Sequence, residues 1–178
     1  MMRNNPTALE ATPPISLLQQ REIEARIVGP LVRALRAELG DERALALVRG
    51  VIADLARQSG ADLAQRLGSA SLEAFVQVLD RWSEGGALEI ERLEQSGDRL
   101  SFNVTRCRYA EMYRALGLGD LGASLSCQRD FSLVEGFNPA IELARTQTIM
   151  QGAPFCDFRF RRRATESPEP APDADASG

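Results

Sequence analysis

Residues 126–160 concentrate the side chains whose types and spacing could do chemistry in this sequence. The segment holds Cys127 and Cys156, two of the three cysteines, and Asp130 follows Cys127 by three residues. A thiol can serve as a nucleophile when a nearby carboxyl group receives and returns its proton. The spacing therefore predicts a reactive corner at Cys127 and Asp130. The alternative is a small buried cysteine that takes no part in chemistry.

Two arginines of the same segment could hold an anion. Arg129 stands two residues after Cys127, where its charge could also lower the pKa of a nearby thiol. Arg145 shares a predicted strand face with apolar residues, and a buried guanidinium needs an anionic partner. That partner is either a carboxylate of the substrate, held by two parallel hydrogen bonds, or an acid of the protein. The internal candidates are Glu135, Glu142 and Asp157.

A turn is predicted at residues 135–139, because Gly136 can adopt a positive φ and Pro139 pushes Asn138 towards an extended conformation. An acid on such a turn, here Glu135, can act as a general base where it is partly buried. The alternative is an acid in contact with solvent only. Asn138 is a candidate to contact a substrate beside it.

The last predicted strands carry further candidates. Thr146 and Thr148 share one face of a strand expected over residues 140–151. Both hydroxyls could donate to a ligand, although β-branched residues also favour strands for their shape alone. Alternation places Cys156 on the same face as Phe158. Cys156 is therefore either a core cysteine or, where that face lines a pocket, a second thiol of the site.

Histidine and lysine are both absent, so that all 21 basic residues of the 178-residue chain are arginine. Their absence excludes a Ser-His-Asp triad, a Cys-His dyad, a lysine Schiff base and zinc sites that need imidazole. Three thiolates with Asp130 or Glu135 could still bind zinc and activate a water molecule. The cysteines are spaced too widely for a compact zinc module. No cofactor is therefore predicted, and a divalent metal is the less favoured alternative.

The charge distribution and the hydropathy of the sequence limit the possible partners and the cellular compartment. The net charge is −4, and the acidic C-terminal residues account for it, since acids and bases are equal in number elsewhere. We therefore expect no nucleic-acid partner. No stretch approaches the ~18 apolar residues of a membrane span, and the N-terminus lacks the apolar core of a secretory signal. The expectation is a cytoplasmic protein without membrane contact, whose oligomeric state the composition leaves open.

The hydrophobic periodicity predicts an α+β fold, in which a helical N-terminal half packs on an antiparallel sheet formed mainly by the C-terminal half. Residues 15–163 are expected to form one domain. It should be helical over residues 15–86 and sheet-rich over residues 87–163. Residues 1–14 and the acidic tail, residues 164–178, are expected to be disordered.

Glycine, proline and serine mark the expected ends of the helices. The first two helices should end at Gly40 and Gly60, and a third is expected over residues 61–86, where Gly68 can break it and Ser71 is a candidate restart. Pro30 is expected to kink or split the first helix. A β-hairpin is expected to turn at residues 96–98.

A pattern of spaced residues runs from position 106 to position 161. It comprises Cys107, Tyr109, Glu111, Gly117, Cys127, Asp130, Gly136, Pro139, Arg145, Thr146, Thr148, Gly152, Cys156 and Asp157. This pattern resembles that of the L-2-amino-thiazoline-4-carboxylic acid hydrolase family. The resemblance implies ring-opening hydrolysis of a small cyclic amidine that bears a carboxylate, with N-carbamoyl-L-cysteine as the product.

The resemblance also suggests roles for the candidate residues. Cys127 would be the nucleophile, or a ligand to the group that activates water, and Cys156 is a second candidate thiol. Asp130 and Glu135 would be acid and base, and Arg145, with Arg129 second, would hold the substrate carboxylate. The bond broken would be carbon–nitrogen or carbon–sulfur, and we expect a hydrolase of non-peptide carbon–nitrogen bonds.

A weaker resemblance is to small-molecule-binding domains of the 4-vinyl reductase type, which also end with a strand, a glycine turn and a Cys-x-Phe strand. It implies a non-catalytic binding module as the alternative function. In either case residues 126–160 would build the walls of a pocket, with the N-terminal helices as its scaffold and lid.

Overall fold

Residues 15–163, the part of the chain that the computed structural model describes, form six helices and a four-stranded sheet besides short 3₁₀ and π turns. The helices are α1 (Leu17–Leu39), α2 (Asp41–Leu67), α3 (Leu72–Ser83), α4 (Arg108–Ala115), α5 (Gly119–Gly122) and α6 (Arg129–Phe137). The strands are β1 (Leu88–Gln95), β2 (Arg99–Cys107), β3 (Ile141–Ala144) and β4 (Cys156–Arg162). The disorder predicted for residues 1–14 and 164–178 lies outside the described residues.

The sheet has the strand order β1-β2-β4-β3, and every neighbouring pair is antiparallel. The hairpin predicted around residues 96–98 is present as β1 and β2. In the centre of the sheet, Phe102 of β2 lies opposite Phe158 of β4. The α+β prediction is confirmed, because all four strands come from the C-terminal half.

The main core lies between α3 and one face of the sheet. Alternation along β2 and β4 points Phe102, Phe158 and Phe160 to this face, and all three side chains are buried. Helix α3 begins at Leu72, directly after Ser71, the predicted restart, whose hydroxyl caps the helix by accepting from the Ala74 amide at 3.1 Å. Its apolar residues recur at helical spacing, so that α3 buries one face against the aromatic rings of the strands.

Helix α1 buries its small residues and exposes its large ones. Ala25, Gly29 and Val32 are the buried residues, and Gly29 packs so closely on Leu118 that a Cβ there would lie 2.7 Å from a Leu118 methyl carbon. Pro30 lies inside α1 without splitting it, contrary to one of the two outcomes expected for it. Four large aliphatic residues at helical spacing in α1 are exposed: Ile23, Ile27, Leu31 and Leu35.

Helix α2 continues through Gly60, where its end was predicted, to Leu67. The glycine serves a close crossing with α6: a Cβ on Gly60 would lie 2.0 Å from the Leu133 carbonyl oxygen. On the other helix, a Cβ on Gly136 would lie 1.9 Å from the Arg57 carbonyl oxygen. Two glycines therefore let the backbones of α2 and α6 touch.

Two segments differ from the prediction. Residues 135–139 do not form a turn, because α6 runs through Phe137 and uses Gly136 for the helix crossing. The strand expected over residues 140–151 ends at Ala144, and the chain then leaves the sheet to form a 3₁₀ turn at Ile149–Gln151. Within residues 15–163, no helix combines the length and the apolar character needed to cross a bilayer.

Candidate active site

A cavity of about 90 Å³ lies where the N-terminal part of α1, the inner face of the sheet and α6 meet. Its apolar wall comes from α1, α3, the sheet, α6 and the 3₁₀ turn: Leu17, Trp82, Leu88, Val104, Leu133, Met150 and Phe158. Its polar wall comprises Arg21, Cys107, Tyr109, Ser126, Cys127, Arg129, Asp130, Arg145 and Cys156. Apolar walls with a few converging polar groups are typical of a small-molecule site.

A π turn places Cys127 at this cavity. Residues Ala123–Cys127 form the turn, which the Gln128 amide closes by donating to the Ala123 carbonyl oxygen at 3.0 Å. Such turns are uncommon and occur often at functional sites. Helix α6 begins directly afterwards, so that Cys127, Arg129 and Asp130 enter the cavity from consecutive turns of backbone.

The three thiols line the same cavity, and the pKa of each is raised. Burial raises the pKa of the Cys127 thiol from the ordinary 9.0 to about 12, and the nearby Asp130 adds to the shift. Burial likewise raises the pKa of Cys107 to about 11. The pKa of Cys156 is also raised by burial, although its sulfur accepts the Ile149 amide at 3.2 Å. The expected lowering of the Cys127 pKa by arginine is thus outweighed by burial, and all three groups are neutral thiols near pH 7.

Arg145 and Asp130 form a buried ion pair beside Cys127. One terminal nitrogen of Arg145 donates to the Asp130 carboxylate, and the other donates to the Cys127 carbonyl oxygen at 2.8 Å. The Arg145 side chain is only 5% exposed and lies over the Phe131 and Phe158 rings, 4.9 and 5.0 Å from their centroids. Burial raises the pKa of Asp130 even though Arg145 opposes the shift. Asp130 therefore keeps its proton to a higher pH than an ordinary aspartate, which suits a group that transfers protons.

A second charged cluster closes the cavity on the side of α1. Arg21 donates to both carboxylate oxygens of Glu24, and Arg129 approaches the same carboxylate at 3.5 Å. The two arginine side chains are 14% and 13% exposed. Burial and the charge of Arg21 both lower the pKa of Arg129. Two guanidinium groups thus share one carboxylate, and an additional anion would relieve their repulsion.

The hydroxyls of Thr146 and Thr148, the candidate ligand contacts, form hydrogen bonds within the protein. The Asp157 carboxylate accepts the Thr146 amide and hydroxyl and the Gln147 amide at 2.7–2.9 Å. The Thr148 hydroxyl accepts the Gln151 amide at 3.2 Å. Neither threonine lines the cavity. These contacts fix the segment that follows β3 and carries Arg145.

Glu135 and Asn138 also lie away from the cavity. The exposed Glu135 carboxylate accepts Arg57 at 3.1 Å on the outer side of the α2–α6 crossing. Asn138 ends α6: its side-chain amide donates to the Ala70 carbonyl oxygen and its side-chain oxygen accepts the Ala140 amide, both at 2.8 Å. The structure therefore brings together Cys127, Asp130, Arg129, Arg145 and Cys156 and leaves these two outside.

Sequence reasoning did not place Arg21, Trp82 or Tyr109 at the site. Arg21 comes from α1, about a hundred residues before Arg129, and nothing in its local sequence marks it. Trp82 and Tyr109 are joined by a hydrogen bond from the Tyr109 hydroxyl to the Trp82 carbonyl oxygen at 3.1 Å. Burial raises the pKa of Tyr109 to about 12, so that it remains a donor. Tyr109 belongs to the spaced pattern of residues 106–161, and this pattern was the signal from which its place at the site could have been predicted.

The carboxylates and thiols of residues 15–163 include no group of three or more arranged to hold a metal ion. The cysteines nevertheless share one cavity, which the spacing in sequence did not reveal. The polar groups that the cavity offers are thiols, one carboxyl group, hydroxyls and guanidinium groups.

Comparisons with known proteins agree with this architecture. The sequence profile of the L-2-amino-thiazoline-4-carboxylic acid hydrolase family matches residues 20–160, and the chain belongs to this family. The match extends well beyond residues 106–161, so the helical half belongs to the family pattern as well. No curated protein matches the chain by sequence.

A solved structure shares the fold. It is the crystal structure of the phenol-responsive sensory domain of the transcription activator PoxR with phenol. The two chains are 17% identical, with a TM-score of 0.50, over 76% of this chain and 73% of that chain. At this level of identity the likeness concerns the fold alone.

Proposed function

We propose that the chain is a hydrolase that opens a small cyclic amidine bearing a carboxylate, with L-2-amino-thiazoline-4-carboxylate as the substrate and N-carbamoyl-L-cysteine as the product. The observation that carries the proposal is the cavity in which Cys127, Asp130 and Arg129 converge with Arg21. It combines a nucleophile, a proton-transfer group and a site for an anion. Membership in the family supports the choice of substrate.

The anion site is assigned to Arg129 and Arg21 and not to Arg145. Two donors of Arg145 are committed to Asp130 and to the Cys127 carbonyl oxygen. Arg145 therefore positions the reacting groups. Among the ion pairs of residues 15–163, Arg21 and Arg129 share the single Glu24 carboxylate, which leaves a positive excess for the carboxylate of the substrate.

The proposed mechanism starts from the protonated thiol of Cys127, whose pKa is raised. The Cys127 sulfur adds to C2 of the amidine while its proton passes through Asp130 to the ring nitrogen. The C2–sulfur bond of the ring then breaks as a nitrogen of the former amidine forms a double bond to C2, and Asp130 transfers the proton that this nitrogen loses to the departing sulfur. Water adds to the resulting isothiourea, the bond from Cys127 to carbon breaks, and the urea product leaves with the thiol restored. One water molecule is consumed overall.

The direct test is turnover of L-2-amino-thiazoline-4-carboxylate by the full chain, followed as appearance of the product by chromatography. Cys127→Ala and Asp130→Asn should lower kcat by at least about a hundredfold. Arg129→Gln should mainly raise KM. Arg26→Gln is the matched control, because Arg26 is an exposed arginine of α1 paired with Glu22.

Two results would contradict parts of this proposal. Undiminished turnover in Cys127→Ala would remove the thiol from the mechanism, and loss of wild-type turnover with a chelator would assign the nucleophile to a metal-bound water. Absence of turnover in a folded wild-type chain would overturn the hydrolase altogether.

The second candidate function is a non-catalytic small-molecule-binding module. The apolar wall with Trp82 and Phe158 favours it, together with the fold shared with a sensory domain whose structure contains phenol. A binding module should be stabilised thermally by carboxylate-bearing aromatic or heterocyclic compounds without converting them. Measuring melting temperature and turnover on the same samples separates the two functions.

A further inference from the structure

Helix α1 presents a row of large aliphatic side chains that the rest of residues 15–163 leaves exposed. Ile23, Ile27, Leu31 and Leu35 follow one another at four-residue steps, and between 36% and 61% of each is exposed. This spacing places them along one side of the helix. The buried residues of α1 lie on the opposite side, so that the row takes no part in the core of the single chain.

Helix α2 carries a second row of the same kind. Leu47, Val51 and Leu55 are at least half exposed and also recur every four residues. The chain reverses at Gly40, and Val32 of α1 shares a core cluster with Ile52 of α2. Antiparallel helices joined by a tight turn pair positions at similar distances from the turn, so we expect the second row at the levels of the first, with Leu47 near Leu35, Val51 near Leu31 and Leu55 near Ile27. We call the two rows together the aliphatic face.

The extent of the aliphatic face lies at the upper limit of what single chains normally leave in water. Seven half-exposed side chains present on the order of 600 Å² of apolar surface, and the largest such patch on a monomer is ~300–600 Å². A standard interface buries ~800 Å² per partner. The aliphatic face therefore supplies most of the apolar area that one half of a stable dimer needs.

We propose that the aliphatic face is the interface with a second copy of this chain. A symmetric dimer requires a surface that complements itself, and rows at four-residue spacing form ridges that fit the grooves of an identical helix. A twofold axis beside residues 27–31 places Ile23 of one copy against Leu35 of the other. Helices α1 and α2 of both copies then form a four-helix bundle, and the two aliphatic faces meet in its core.

The test is the mass of the full chain in solution by sedimentation equilibrium, with Ile27→Glu and Val51→Glu as variants. The wild type should sediment at twice the monomer mass of 19.5 kDa. Each variant should dissociate at least about a hundredfold more readily, because the symmetric interface would bury the new carboxylate twice. Both positions are exposed within one chain, so that circular dichroism should show unchanged helix content.

Leu93→Glu is the matched control, since Leu93 is a similarly exposed aliphatic residue of β1 outside the aliphatic face. It should remain dimeric. A wild type that stays monomeric up to about 100 μM would overturn the proposal and assign the face to a different protein or to a lipid surface. A dimer that survives both helix variants would overturn it equally, because its interface would lie elsewhere.

Discussion

Arg145 donates to the carboxylate of Asp130, and this ion pair joins the segment after β3 to the first turn of α6. Asp130→Asn should leave the buried Arg145 without its counter-charge and lower the free energy of unfolding by about 3–5 kcal/mol. The double variant Asp130→Leu with Arg145→Met should recover part of this loss, because no unpaired charge remains. Urea denaturation at pH 7 measures both.

Glu135→Gln provides the control for that prediction. Glu135 lies on the same helix as Asp130, α6, and forms an exposed ion pair with Arg57 of α2. Breaking that pair should lower the free energy of unfolding by less than about 1 kcal/mol. If Asp130→Asn proved as mild as Glu135→Gln, the pair would not be the electrostatic anchor of the site.

The thiol of Cys127 should be nearly inert towards alkylation in the ligand-free protein. With its pKa raised from 9.0 to about 12, its thiolate fraction at pH 8 is lower by about a thousandfold than in the unfolded chain. Peptide mass spectrometry after iodoacetamide treatment, with and without urea, measures the ratio. Cys107, whose pKa is about 11, should be slowed by about a hundredfold. Rapid alkylation of native Cys127 would contradict the burial described above.

The raised pKa of Cys127 also makes the free energy of unfolding depend on pH in the alkaline range. The folded state prefers the neutral thiol, so this contribution is complete below the unfolded pKa near 9 and is lost as the pH rises towards about 12. The difference in unfolding free energy between wild type and Cys127→Ala should therefore shift in favour of the variant between pH 8 and pH 11. Tyr109 is present in both chains and its titration cancels. A difference that is constant with pH would refute the prediction.

Glu24 should compete with the substrate for Arg21 and Arg129. Replacing it by Gln removes the carboxylate that the two arginines share and should lower KM, or the dissociation constant of a carboxylate ligand, by about fivefold. Calorimetric titration or steady-state kinetics measures the change. Glu22→Gln, which alters the exposed pair with Arg26, should have no effect. A weaker affinity in Glu24→Gln would show that Glu24 orients the arginines and does not compete with the ligand.

The helix crossing between α2 and α6 should not tolerate a side chain on either glycine. Gly136→Ala places its Cβ against the Arg57 carbonyl oxygen, where the backbone must move, and should cost about 3 kcal/mol or more. Gly50→Ala is the matched control, because Gly50 lies in α2 with open space around it. That change should stabilise the chain by about 0.5–1 kcal/mol, since alanine favours a helix. Thermal unfolding of the two variants should therefore shift in opposite directions.

Local patterns predicted the parts of the fold that local chemistry determines. Alternation placed Cys156 and Phe158 on the buried face of β4, and the serine signal at Ser71 marked the start of α3. Glycine was misread twice. Gly60 and Gly136 were taken as a helix end and a turn, whereas both serve a contact between helices that are distant in sequence. A single sequence does not distinguish a glycine needed for its φ from one needed for close approach.

The site was predictable where its residues are neighbours in the chain. Cys127 and Asp130 were found from their spacing, and both line the cavity. The partner of Arg145 was not predicted: the sequence left a substrate carboxylate and three other acids open, and Asp130 reaches Arg145 only through the fold. Arg21 was missed for the same reason. The direction of the Cys127 pKa was also missed, because it depends on burial that only the packed structure defines.

The close crossing of α2 and α6 also sets an order of events during synthesis. The surface of α2 around Gly60 has no partner until the residues of α6 have been translated, about 70 positions later. At ~5–20 residues per second this interval lasts on the order of 4–14 s. During that time the nascent helical hairpin exposes the side that α6 will cover. A translational pause before residue 129 should therefore lengthen the time for which this side of α2 has no partner.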